Sequence, residues 1–298
     1  LGIPYARPPV DDLRWTAPQE LPDQAGIPRV LNATEYKPGC PQFRSSKLSD
    51  LGRMLVGVES GESEDCLYLN IYRVRGADYN TRLKNNKQKV VVFVHGGAFS
   101  TGASSARLYR PQDLLVNGWT EGDPIIMVTF DYRLGVLGWA AGSELLKDHT
   151  SKQGVGNYGL LDQMMAVEWV KRHIAAFGGD PDDITIMGHS AGAMSVSYLQ
   201  LIRPDLAQKW ILLSGTSIGW KHRMADSDFE DQVWQRFAEH VKCAPDDIQC
   251  MRAVPVGHLI TAGSVLRADY LFGPTIDYSL IKADPFNLLQ QQNQVGPT

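Results

Sequence analysis

An α/β fold, with a mostly parallel sheet flanked by helices, follows from three features of the sequence. First, apolar runs rich in β-branched residues recur: Val90 to Val94, Ile125 to Phe130, Ile184 to Met187 and Trp210 to Leu213. Continuous runs of this length read as strands buried on both faces, as in a parallel sheet. Second, stretches of helical periodicity lie between them, so strand and helix alternate. Third, no linker-like composition, internal repeat or low-complexity tract divides the 298 residues. The chain is therefore read as one domain over 1–298.

The elements follow in order. Residues 1 to about 35 hold Pro4, Pro8, Pro9, Pro18, Pro22 and Pro28, which favour extended segments and turns. Residues 41–65, polar with Gly and Ser, read as a surface loop. Cys66 to Tyr72 alternates apolar and polar and reads as a half-buried strand. Arg75 to Lys89 is a polar turn region, and the run Val90 to Val94 then ends in His95-Gly96-Gly97-Ala98. Asn157 to Phe177 places Leu160, Met164, Val167, Ile174 and Phe177 on one helical face, closed by Gly178-Gly179. Asp183 to Met187 is a strand, Ala191 to Leu201 a helix stopped near Arg203-Pro204. Ser227-x-x-Glu230 is a capping box for a helix with Phe229, Val233, Phe237 and Val241 on one stripe. Asp284-Pro285 opens a short final helix.

Bulk properties exclude several classes. Lys+Arg 29 against Asp+Glu 33 gives a net charge of -4, and no basic stripe stands out, so a nucleic-acid partner is not expected. No apolar run approaches a membrane span. The opening Leu1 to Ala6 lacks the basic start and apolar stretch of a signal peptide. Cys40, Cys66, Cys243 and Cys250 show no C-x-x-C spacing. They allow three pairings, or four free buried thiols. Sequential pairing would close two local loops worth about 3.5 and 2.5 kcal/mol in the chain-entropy model. Asn32-Ala33-Thr34 is a glycosylation sequon, which with paired cysteines points to an oxidising compartment. No metal site or cofactor is implied. Gly154-x-Gly156-x-x-Gly159 matches a dinucleotide pattern, but the polar stretch before it is no strand, and a cofactor site is rejected.

Chemistry centres on Gly188-His189-Ser190-Ala191-Gly192. This is G-x-S-x-G between a strand and a helix, the context of a nucleophile elbow. A serine hydroxyl attacks carbonyl carbon only with help: donors for the oxyanion, a base, and a group that orients the base. Ala191 N–H is one candidate donor, and the loop after Val90–Val94 should supply the others. The base is not evident. His95 belongs to the glycine loop. His189 abuts the serine, where its ring should point away. His173 and His240 lie on helices, and His149, His222 and His258 in loop contexts.

With these residues in view, the chain resembles a type-B carboxylesterase, the group of α/β-hydrolase fold that includes cholinesterases and lipases. The resemblance rests on Leu1 to Ala6 with Leu13-Arg14-Trp15, on Glu64 to Asn70, on Asp131 to Gly135, and on Phe177 to Pro181 with Ile184 to Gly192. It implies an α/β-hydrolase fold whose C-terminal part is missing, and a small-molecule carboxylic ester as substrate. It implies Ser190 as nucleophile; Gly97, Ala98 and Ala191 as oxyanion donors; disulfides Cys40–Cys66 and Cys243–Cys250; Arg14–Glu64 as a structural ion pair; and Trp220 as a wall of the acyl pocket. It further implies that the acid and histidine of the triad lie outside the chain. The chain is accordingly expected to be a fragment, cut at both ends and inactive alone, of a secreted or lumenal protein. Three departures stand out: Asp131 where Asn is usual, Ala98 where a third glycine is commoner, and His189 where Glu is usual. The last removes a negative charge beside the base and predicts a changed pH–rate profile. The Cys40–Cys66 segment has no Trp, Tyr or Phe after Phe43, so a cation–π choline site is not expected there. The rival reading is a non-catalytic adhesion or binding protein on the same fold.

Overall fold

A computed structural model describes residues 1–22, 31–43, 57–58, 60–74, 87–148, 154–220, 223–266 and 272–294. Six strands form one sheet: β1 (Ile3–Pro4), β2 (Tyr68–Tyr72), β3 (Gln88–Val94), β4 (Ile125–Phe130), β5 (Gly179–His189) and β6 (Lys209–Leu213), in the spatial order β1-β2-β4-β3-β5-β6. The four strands β4-β3-β5-β6 are parallel, while β1 and β2 add an antiparallel edge. The apolar runs explain this division. Val90, Val92, Val94, Ile126, Val128, Ile184 and Ile186, in register on one face of the sheet, are fully buried, and on the other face Phe93 and Met127 are buried together with Leu115 of a covering helix, so both faces are covered.

Helices α1 (Gln112–Thr120), α2 (Gly135–Trp139), α3 (Ser143–Lys147), α4 (Tyr158–His173), α5 (Ala191–Ile202), α6 (Asp228–Val241), α7 (Ile248–Ala253), α8 (Val256–Leu266) and α9 (Pro285–Gln294) supply the layers. The expected stripe is seen in Leu160, Met164 and Val167, buried in α4; the short 3-10 turn Ile174–Phe177 that follows it buries Ile174 and half-buries Phe177. Gly178, at φ 89°, then turns the chain into β5. Ser227 Oγ accepts Glu230 N–H at the start of α6. Glu230 pairs with Arg223, and Ser227 N–H donates to Met224 O. The α6 stripe differs from expectation at one end: Phe229 is 43% exposed, and Trp234 joins Phe237 in the core instead. Trp234 stacks edge-on against Trp15, with ring centroids 5.5 Å apart. Asp284 Oδ1 accepts Phe286 N–H and caps α9.

The N-terminal segment is held by charge. Arg14 donates two parallel hydrogen bonds to the Glu64 carboxylate, both 2.6 Å, and two more to the carbonyls of Arg252 and Val254. Disulfides join Cys40 to Cys66 and Cys243 to Cys250. Replacing Cys243 and Cys250 together by serine is expected to lower stability by about 2.5 kcal/mol, read from urea denaturation of the full-length protein. A change under about 0.5 kcal/mol would show that the short loop is constrained without the bond.

The topology also creates a place for chemistry. From β3 the chain crosses to β4 on one side, and from β5 to β6 on the other. The crevice outside the carboxyl ends of β3 and β5 is therefore the switch point at which open α/β sheets bind ligands. Val94 stands directly opposite Gly188 there. Among the described residues no helix is long and apolar enough to cross a membrane.

Candidate active site

Ser190 occupies the tip of the turn from β5 into α5, at φ 55° and ψ −121°. This strained conformation thrusts the side chain out of the sheet and occurs where surrounding structure enforces it. The enforcement is visible. Ser190 N–H donates to Leu213 O of the neighbouring strand at 2.8 Å, and Ser190 O accepts Met194 N–H at 3.0 Å. The flanking glycines are sterically required: a Cβ on Gly188 would meet the Gly192 carbonyl, and one on Gly192 the Val94 carbonyl. Gly215 is held to the same standard by Ser190 O.

The loop after β3 lies against this turn. A Cβ on Gly96 would stand 3.1 Å from Ser190 Cβ. Gly97, Ala98 and Phe99 take φ values of 123°, 52° and 56° in succession. Gly97 O is drawn into the turn by Ser100 N–H, Thr101 N–H and Thr101 Oγ1. Tight turns of this kind can present successive N–H groups as an anion-binding concavity. Ala191 is the first residue of α5, and the first N–H groups of a helix have no intrahelical acceptor. The 12-residue helix also directs its positive end at this point. A half-buried hydroxyl beside a loop and a helix end that both offer N–H groups can attack a carbonyl and hold the resulting oxyanion.

Trp220, expected as a wall of the acyl pocket, packs against the residue that follows the glycine loop. Its ring meets Phe99 edge-on at 5.0 Å, and Phe99 in turn meets Trp139 at 4.8 Å. A Cβ on Gly273 would strike the Trp220 ring, so the segment near 273 closes over it. Phe99 and Gly273 were not singled out from the sequence. Only their contacts with Trp220, which is distant from both in the chain, reveal them.

The histidines divide as follows. His95 is buried behind the glycine loop. The His189 Nδ1 lies under Gly96, and its ring centroid is 6.4 Å from that of Tyr109. His173 packs on Trp169, and His240 Nδ1 lies 2.8 Å from Arg236 O. His258 is on helix α8, not in a loop as its sequence context suggested. His149 and His222 fall outside the described residues. Among the described residues no imidazole is hydrogen-bonded to Ser190 Oγ, and no cluster of His, Cys, Asp and Glu could hold a metal ion. Asn32 is exposed, and Thr34 Oγ1 donates to its Oδ1 at 2.9 Å.

Comparison with known proteins agrees with this fold. A model of the carboxylesterase family matches residues 1–297. Mouse (Mus musculus) cholinesterase is 35% identical over 304 residues, covering 97% of this chain and 46% of that protein. Human (Homo sapiens) neuroligin-2 is 33% identical over 323 residues, covering 98% and 36%. Among solved structures, the Geobacillus stearothermophilus carboxylesterase EST55 at pH 6.2 superposes with a TM-score of 0.79 at 30% identity, covering 98% of this chain and 54% of that one. The chain thus spans about half the length, or less, of the curated relatives it matches. An α/β-hydrolase sheet, a glycine loop beside a strained serine, and a match along the whole chain lead to one assignment: the chain belongs to the carboxylesterase family.

Proposed function

We propose that the full-length protein is a serine carboxylic-ester hydrolase working through an acyl-enzyme on Ser190. One observation carries the reading: the strained serine and the Gly96–Ala98 loop sit together at the switch point of the sheet. Ser190 Oγ attacks the acyl carbon while a base takes its proton. The N–H groups of Gly97, Ala98 and Ala191 receive the negative charge that forms on the carbonyl oxygen. Collapse of the tetrahedral species expels the alcohol, which recovers the proton, and water then releases the acid. Trp220 bounds the acyl side. No imidazole among the described residues hydrogen-bonds Ser190 Oγ, and we assign the base and its orienting carboxylate, as the family resemblance implies, to sequence outside these 298 residues. The 298 residues alone should then keep only residual catalysis. The two disulfides and the exposed sequon at Asn32 favour a secreted or lumenal glycoprotein.

A second reading is a non-catalytic binding protein on the same scaffold, and not every relative is named for hydrolysis: neuroligin-2 is not. Two features favour the enzyme. A binding module has no need of a strained serine, nor of a loop built from left-handed residues beside it. Initial rates of the full-length protein on a chain-length series of 4-nitrophenyl esters separate the two. Saturable turnover supports hydrolysis; rates no greater than those of an inert protein sink it. Within the enzyme reading, Gly97→Val forces a Cβ into the Thr101 carbonyl at a φ that valine avoids. It should lower kcat by about 10²–10³-fold while circular dichroism stays unchanged.

A further inference from the structure

Behind the glycine loop lies a polar group that the ester chemistry above does not use. Asp131, one residue past β4, is buried, and its carboxylate accepts Ser104 N–H at 2.8 Å and Ser104 Oγ–H at 2.7 Å. Its Oδ1 stands 3.9 Å from His95 Nε2. His95, equally buried, leads directly into Gly96. Its ring is fixed by stacking on Tyr132 at 4.4 Å, and its carbonyl by the Tyr132 hydroxyl at 2.7 Å. His95 Nδ1 lies 2.9 Å from Gly96 O. A carbonyl cannot donate, so Nδ1 carries the hydrogen. The remaining nitrogen, Nε2, faces the carboxylate and has no hydrogen-bond partner among the described residues.

Two lone pairs facing each other in a dry site repel; one proton on either partner turns the contact attractive. Burial pushes the Asp131 carboxyl up to about 7, against the lowering pull of its Ser104 hydrogen bonds. Burial likewise pushes His95 down to about 4. Both shifts have the same cause and the same sense: burial favours the uncharged forms, the carboxyl with its proton and the imidazole neutral. Among the described residues no cation is paired with the Asp131 carboxylate to offset the loss of that proton. Arg133, the next residue, is bonded to both Asp162 oxygens and to Thr16 O. Among the described residues the other titratable groups around the pair are Tyr5, Tyr72, Tyr109 and Tyr132, all raised by burial and neutral throughout this range.

We propose that His95 and Asp131 hold a single proton between them beneath the Gly96–Ala98 loop, and that its loss leaves a buried negative charge which opposes oxyanion formation at that loop. Asp131 is then a positioning residue that makes the site sensitive to alkaline pH. The effect on rate rests on the reading of the loop as an oxyanion site; the shared proton does not.

Two measurements on the full-length protein test this. The first is the pH profile of kcat/KM on a 4-nitrophenyl ester for the parent and Asp131→Asn. The parent should lose about tenfold between about pH 7 and pH 9, the size of one charge acting at an effective dielectric constant of about 20. The variant, with an amide that does not titrate, should lose less than about twofold. An equal alkaline fall in both overturns the proposal. The second measurement needs neither activity nor the Asp131 variant. The infrared carbonyl band of a protonated carboxyl should persist at about pH 6, where ordinary carboxylates are ionised, and vanish as pH rises through about 7. Asp277 is also raised by burial, so the band must survive in Asp277→Asn. Its absence there overturns the shared proton. If the protein hydrolyses no ester, the hydrolase reading fails, while the infrared titration still decides for or against the shared proton.

Discussion

Ser190→Ala in the full-length protein is expected to lower kcat/KM for a carboxylic ester about a millionfold, down to the residual rate that an oxyanion site and substrate binding give alone. The size of the effect follows from the role. The hydroxyl oxygen forms the covalent bond, and nothing else in the described site can replace it. Stability should barely move, because the turn at φ 55° is held by backbone hydrogen bonds to Leu213 O and from Met194 N–H, which alanine retains. The pair of readings matters: activity lost with an unchanged melting temperature assigns the loss to chemistry. A variant that keeps more than about a hundredth of the parent rate would remove Ser190 from the mechanism.

Asp162→Ala should cost about 3–5 kcal/mol of stability, the largest structural effect expected of a single change here. Arg133 and Asp162 are both buried, and the carboxylate takes two guanidinium N–H groups at 2.8 and 2.7 Å and the Arg133 backbone N–H at 3.0 Å. Removing the acid strands a guanidinium in the core between Thr16 O and the Tyr158 ring. The double change Arg133→Met with Asp162→Leu should recover most of the loss, because a buried ion pair rarely outperforms apolar packing of similar volume. Urea denaturation of the two variants and the parent checks both statements. A single variant within about 1 kcal/mol of the parent would mean that water reaches the guanidinium.

The strands that build the parallel part of the sheet were legible in the sequence for a simple reason. A strand buried on both faces must be apolar throughout, and Val90 to Val94 or Ile125 to Phe130 can hardly be anything else. Helices α4 and α5 were legible because each has a strong apolar face and a glycine or proline stop. Helices α1, α2, α3, α7 and α8 were not, and two of them show why. In α1 only Leu115 is buried, while Leu114 and Val116 are exposed, so no stripe marks it. In α8 two glycines and several β-branched residues give poor helix propensity. Packing decides instead: Gly263 lets the helix approach Val136 of α2 closely.

The candidate site was half legible. Ser190 and the glycine loop announce themselves through residue types that the turn geometry demands. The left-handed run from Gly97 to Phe99 does not, since alanine and phenylalanine at such angles have no sequence signal. Nor does the meeting of His95 with Asp131. It depends on β3 and β4 being parallel neighbours whose carboxyl ends align, and from the sequence Asp131 was only an unusual residue in a familiar stretch. His189 shows the same limit. Its neighbour Ser190 was readable, but the placement of its ring beneath Gly96 and near Tyr109 belongs to the fold.

The central claim is that Ser190 is an activated nucleophile, not a serine in a turn. It is tested most directly by treating the full-length protein with a fluorophosphonate and mapping the adduct by mass spectrometry. The expected result is one stoichiometric phosphonyl group on Ser190, absent from Ser190→Ala. A folded full-length protein that stays unlabelled, or that carries the group on another residue, would contradict it.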